Sequence, residues 1–201
     1  MGTHLSQINY EAISEALAGE MECGDQYLVK ELADSTLLAV VDGLGHGKEA
    51  ANAAKTAIAT MDAYADESIE TLFNLCHKAL GSTRGGAITI VKVFTTGHII
   101  QYKSVGNVIG VHWFIDENSK LKKDSFFLEG GIVGYRLPDS VHVKELIWQS
   151  GDTLILATDG IKKQFELEHP TWISPDKIAQ KIFSDYRNYN DDGLVLVARL
   201  L

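Results

Sequence analysis

Residues 36–41, TLLAVV, form an almost unbroken apolar run that ends abruptly in Asp42 and the glycine-rich stretch GLGHG. A strand alternates polar and apolar residues when one face meets water, so a continuous run requires burial on both faces. The chain must cover this strand with two layers and let it leave the core at an aspartate. QYLVKEL, residues 26–32, does alternate and is expected to pair with it.

The segment after the glycine turn supplies one covering layer. Lys48 to Ala65 is alanine-rich, and Ala50, Ala54, Ala57, Ile58, Met61 and Ala65 fall on one helical face. A second helix is expected from Ser68, a favourable cap, through Leu72, Leu75, Cys76 and Leu80 to Gly81. From Gly86 the character changes: AITIVKVF, HIIQYKSV, VIGVHWFI, SFFLE, VHVKELIW and DTLILAT are short, β-branched or aromatic, and separated by turn residues. They read as an antiparallel meander. A last helix over Pro175 to Tyr186 begins with proline in its first turn, and an apolar strand from Leu194 to Leu201 ends the sequence. Segregated strands and helices indicate an α+β sandwich, and 201 residues with 45% hydrophobic content indicate one domain over 1–201.

Charge and cysteine usage exclude several functions. With 27 acidic against 18 basic residues the formal charge is −9, which argues against a nucleic-acid partner. Cys23 and Cys76 form no zinc pattern and fit a reducing, cytoplasmic setting. No apolar run is long enough for a membrane span, and MGTHLSQINYEA lacks the features of a signal peptide. MGTHLS matches the short myristoylation pattern, which recurs by chance.

Four aspartates sit against turn residues: Asp25 in CGD, Asp42 in VVDGLGHG, Asp159 in LATDG and Asp191 in NYNDDG. Any one alone is ordinary turn chemistry. Together, at the ends of apolar runs, they would repel one another unless hard divalent cations neutralise them, and magnesium or manganese fits best. Asp42 can bridge two cations, the Gly43 carbonyl can add a ligand, Asp159 and Asp191 arrive from separate segments, and Asp25 joins directly or through water. Two such metals suit in-line attack on a phosphoryl group. The loop from Glu129 to Asp139 can border the site, whereas Asp152, in SGD, reads as a turn residue.

Rival motifs fit poorly. A P-loop needs GxxxxGK followed by Ser or Thr, but Asp42 takes the first glycine position and Glu49 follows Lys48. A dinucleotide GxGxxG beginning at Gly43 or Gly45 meets Lys48 or Ala50 at its last glycine. Arg84 in STRGGA suits either a phosphate contact or the surface. Trp113, Trp148 and Trp172 read as core or rim aromatics, and His4, His77, His98, His112, His142 and His169 show no metal-ligand spacing.

The succession CGD, VVDGLGHG, SVGN, GDTLILATDG and a terminal DD before an apolar strand resembles the metal-dependent PPM (type 2C) protein phosphatases, in particular their SpoIIE-like branch. The resemblance spans nearly the whole chain. It implies an αββα sandwich of two packed antiparallel sheets flanked by helices, with two Mn2+ or Mg2+ ions in a cleft at one end. By matching motifs, Asp42 would bridge both metals and the Gly43 carbonyl would bind one. Asp159 and Asp191 would bind the other, with Asp25 acting directly or through water. The nucleophile would be a metal-bridging hydroxide. Within the branch, the stand-alone form is similar to phosphatases that reset stressosome proteins, which implies phosphorylated STAS-domain substrates of the RsbR/RsbS type.

Two departures stand out. Larger relatives carry histidine immediately after the DG, where this chain has Leu44, although DGxGHG matches the SpoIIE-like pattern. His46 then either protonates the leaving alkoxide or packs at the helix start. Leu194 stands where the family usually has threonine, which weakens support near Asp191. Two rivals remain: a catalytically weak module that docks phosphoproteins, and a hydrolase of small phosphate esters using the same metals.

Overall fold

The computed structural model describes residues 7–139, 142–165, 167 and 170–201. MGTHLS, with His4, and His169 lie outside the described residues. The strands are β1 (Ile8–Glu15), β2 (Asp25–Glu31), β3 (Ser35–Gly43), β4 (Gly86–Phe94), β5 (Ile99–Val105), β6 (Ile109–Ile115), β7 (Leu121–Ser125), β8 (Leu128–Glu129), β9 (Lys144–Ile147), β10 (Thr153–Ala157) and β11 (Gly193–Leu200). The α-helices are α1 (Gly47–Ala63), α2 (Ile69–Ala79) and α3 (Pro175–Tyr186).

Residues 37–41 of β3 are fully buried, as the unbroken apolar run requires. Leu38 and Val40 face a core shared with Leu154, Leu156, Leu194 and Leu196 of the other sheet, while Leu37, Ala39 and Val41 pack on Ala54, Ala57 and Met61 of α1 and Phe73 of α2. β3 is thus the middle of three layers. A third cluster seats Ile178, Ala179 and Ile182 of α3 on Ile155, Val195 and Val197, which adds the fourth layer. Helices cover both outer faces of two packed sheets, the expected αββα arrangement. α2 is capped as its sequence predicts, Ser68 Oγ accepting from the Thr71 N–H at 3.2 Å.

The strand order corrects the expected meander. One sheet runs β1-β11-β10-β6-β7 and the other β2-β3-β4-β5-β8, with β9 also paired to β5. Between β5 and β10 the chain crosses between the sheets three times, after β5, after β7 and after β9. β8 pairs parallel to β5, so the second sheet is mixed. β1 has no counterpart among the strands expected from sequence: it is an edge strand on which only Ile8 is fully buried, and so it lacks a strong apolar signal.

Candidate metal centre

Strand pairing brings the first two acids together. In the β2–β3 register Asp25 lies opposite Asp42, so one antiparallel ladder holds two carboxylates side by side at one end of the sandwich. The other sheet supplies the rest from the ends of β10 and β11. Thr158 joins the two sheets: its hydroxyl donates to Asp25 Oδ2 at 2.7 Å and accepts from the Leu194 N–H at 2.9 Å. Asp159 comes directly after it and accepts from Asn107 Nδ2 at 2.6 Å.

The Asp191–Asp192 pair divides its labour. Asp192 is buried, accepting from the Leu17 N–H at 2.7 Å and the Gly24 N–H at 2.8 Å, which fixes the loop before Asp25. Asp191 remains partly exposed, in the field of Asp159, Asp192 and His46. The site therefore draws Asp25, Asp42, Asp159 and Asp191 from four segments into one electrostatic neighbourhood, as their motifs suggest.

That neighbourhood is strained by charge. Burial first, and then the Asp42 charge, push the Asp25 carboxyl up to about 8, against the Thr158 hydrogen bond. Burial and then Asp159 and Asp191 push Asp42 up to about 7, against the Asn107 amide. Asp191 is also raised, by burial and then by Asp159 and Asp192, while the Asp192 N–H and His46 oppose the rise. The groups that hydrogen-bond Asp25 and relieve Asp42 are neutral, so the repulsion stands. Divalent cations would remove it.

Whether the donors fit such ions is a question of chemistry. Among the described residues no three His, Cys, Asp or Glu side chains close into a metal-holding group. An all-protein cage is the pattern of calcium and zinc sites, whereas magnesium keeps several waters and takes one or two carboxylates. Dispersed aspartates with no histidine or cysteine ligand fit magnesium or manganese.

Local packing explains the glycines. A Cβ on Gly43 would stand 2.2 Å from the Ala50 carbonyl oxygen, so only glycine lets α1 begin against the end of β3. Gly24 is also confined, a Cβ there standing 2.7 Å from Asp192 Oδ2 and 2.8 Å from Ala50 Cβ. Gly47 has φ +71° and faces the Glu20 carboxylate. His46 is the N-cap of α1 but makes no capping bond; its Nδ1 lies 2.6 Å from Glu20 Oε1. With 55% of its side chain exposed, it is not packed at the helix start. A cavity of about 290 Å³ beside Asp42 is lined by Leu44, Gly106, Asn107 and Gly130 to Ile132, so the 129–139 loop does border the site.

The remaining candidates take varied places. Arg84 is half-exposed, paired with Glu49 at 2.5 Å, and its Nη1 lies against Gly45 of the glycine turn, where a Cβ would stand 2.9 Å from it. Trp113 and Trp148 are core and Trp172 is exposed. Asp152 is more than a turn residue: it accepts from the Gln149 N–H at 2.9 Å and holds buried His112 Nε2 at 2.8 Å. Sequence reasoning singles out no role for Asn107, Glu20, Thr158 or Asp192. SVGN flags Asn107 only by its place in the motif succession, and Thr158 and Asp25 are 133 residues apart.

Known proteins share this architecture and its sequence pattern. The sequence profile of stage II sporulation protein E (SpoIIE) matches residues 33–201. Phosphoserine phosphatase RsbX of Bacillus subtilis (strain 168) is 27% identical over 161 residues, covering 79% of this chain and 75% of that protein. A chain from a bacterial stressosome, a modular system adapted to control secondary messenger signalling, superposes with a TM-score of 0.86 at 30% identity, covering 96% of this chain and 100% of the other. RsbX in complex with magnesium superposes with a TM-score of 0.84 at 21% identity, over 99% and 98% of the two chains.

Proposed function

We propose that this chain, which belongs to the SpoIIE family of PP2C-type phosphatases, is a metal-dependent serine/threonine phosphoprotein phosphatase whose catalytic domain spans residues 1–201. The observation that carries the reading is the convergence of Asp25, Asp42, Asp159 and Asp191, with raised Asp25 and Asp42 carboxyls, at one end of the sandwich. In this reading Asp42, the Gly43 carbonyl, Asp159 and Asp191 would together hold two Mn2+ or Mg2+ ions. Asp25 contributes directly or through water. When bound, the ions lower the pKa of water and polarise the phosphoryl group.

The protein's own groups do the rest. Asn107 restrains Asp159, and Thr158 fixes Asp25. Glu20 engages His46 Nδ1, which leaves Nε2 to deliver a proton to the leaving alkoxide. The substrates in this reading are phosphorylated STAS-domain stressosome proteins of the RsbR/RsbS type, met in the cytoplasm. Likeness to RsbX and to a stressosome chain supports that choice. Among the described residues no helix is long and apolar enough to cross a membrane.

Phosphate release from a phosphorylated RsbS- or RsbR-like protein, with manganese or with chelator, tests the proposal. Turnover that needs both manganese and Asp42 is the expected result. A protein that binds the phosphoprotein yet releases no phosphate at any manganese concentration would be a docking module instead.

A further inference from the structure

Arg187 has an unusual environment. It is 5% exposed, and its guanidinium donates to a set of backbone carbonyls. Nη1 donates to Gly160 O at 3.0 Å, to Asn188 O, and more weakly to Asp192 O at 3.4 Å. Nη2 donates to Asp191 O at 2.6 Å and to Glu15 O at 3.4 Å. The cation also lies over the Phe183 and Tyr189 rings, at 5.5 and 5.7 Å. A buried charge is costly unless its hydrogen-bonding groups are satisfied, and here several segments of backbone satisfy both terminal nitrogens, while Nε has no hydrogen-bond partner.

Two of those segments carry acids of the metal centre. Gly160 directly follows Asp159, and Asn188 to Asp192 form the turn that presents Asp191. The turns are tied again by the Asn188 N–H donating to Gly160 O at 2.7 Å and by the Thr158 N–H donating to Leu194 O at 3.0 Å. Gly193 completes the arrangement: a Cβ there would stand 2.6 Å from Arg187 Cζ and Nη1. The guanidinium fills the space that any larger residue at 193 would need.

We propose that Arg187 is a positioning residue of the metal centre, its guanidinium clamping the Asp159–Gly160 turn to the Asp191–Asp192 turn, with Gly193 keeping the space open for it. This rests on the metal-dependent reading above and deepens it. Lysine cannot form this clamp, because it is a point donor without the fork needed to reach several carbonyls at once.

Manganese is titrated by calorimetry into the metal-free protein, Arg187→Lys, Gly193→Ala and the double variant, and amide exchange is followed in each. Both single variants are expected to bind manganese about 10–100-fold more weakly, as loss of groups that orient ligands usually does. The Gly193→Ala effect is expected to shrink in the Arg187→Lys background, where no guanidinium is displaced. The Asn188 and Thr158 amides are expected to exchange faster while those of β3 and β4 do not. Folded variants with unchanged manganese affinity and unchanged exchange at Asn188 overturn the proposal. Should neither variant fold, the wild type decides. Manganese must then protect Asn188 and Thr158 together, and protection of one turn alone overturns the clamp. A wild type that binds no manganese removes the metal reading instead, and metal-free exchange in Arg187→Lys still judges the clamp.

Discussion

β10 has an aspartate at each end, Asp152 just before it and Asp159 just after its last residue and Thr158, and the two have opposite surroundings. Asp152 is buried against His112 Nε2 and the Gln149 N–H, with the Arg199 cation in its field. Asp159 is met by one neutral amide, from Asn107, and by the charges of Asp42 and Asp191. Both sit beside glycine in turns of similar sequence. The difference is what the topology brings opposite them: β6 places a histidine at the start of β10, whereas β2, β3 and the loop before β11 bring acids to its end. An acid whose charge is matched by the protein serves the fold; one surrounded by other acids keeps an unrelieved repulsion.

Substitutions can break this contrast. The largest effect is expected from Asp42→Asn, which should lower manganese-dependent phosphate release by more than about 10³-fold, since several kcal/mol of metal stabilisation depend on it. The same variant should melt no lower than the metal-free wild type, because it removes a repelling charge. At the other end of the strand, Asp152→Ala leaves His112 buried without its partner. It should cost about 3 kcal/mol, a fall of roughly 6–12 °C in melting temperature, with turnover per folded molecule kept. Loss of turnover with full stability would erase the distinction between the two ends.

Acidity sharpens it. The Asp25 and Asp42 carboxyls are raised in the folded protein, to about 8 and about 7, so the folded state holds protons that the unfolded chain releases near its ordinary carboxylate range. Their contribution is fully present below about pH 4 and is lost as pH rises to about 8. A chelated sample should therefore melt progressively lower across that window than its other groups dictate, and manganese should restore several degrees, most at the alkaline end. Calorimetric melts from about pH 4 to about pH 8 with and without manganese would check this, and a metal effect independent of pH would contradict it. The smallest change is expected from Asn107→Ala, about a tenfold loss of manganese affinity through the freed Asp159, read by titration.

Much of this can be read from local sequence. The doubly buried β3, the Ser68 cap, proline-led α3 and the aspartates at apolar strand ends are each specified within a few residues. The polar edge strand β1, the crossing between sheets and the parallel β8 depend on what those segments meet in space. The same holds within the site. Asn107 becomes a restraint only because Asp159, 52 residues later, folds against it, and Asp192 looks like its neighbour until Leu17 and Gly24 claim it. Asp152 reads as a turn residue in sequence because its partner, His112, lies 40 residues away.

The β2–β3 register that sets Asp25 against Asp42 has one more consequence. A ligand that binds only the folded state shifts folding by mass action, and ions that relieve a built-in repulsion do so strongly. In this reading the enzyme's survival follows cation supply as its turnover does: starved of metal, it opens more often and becomes a better protease substrate. Limited proteolysis across a manganese titration would show cleavage slowing as the metal rises, and a flat cleavage rate would count against that link.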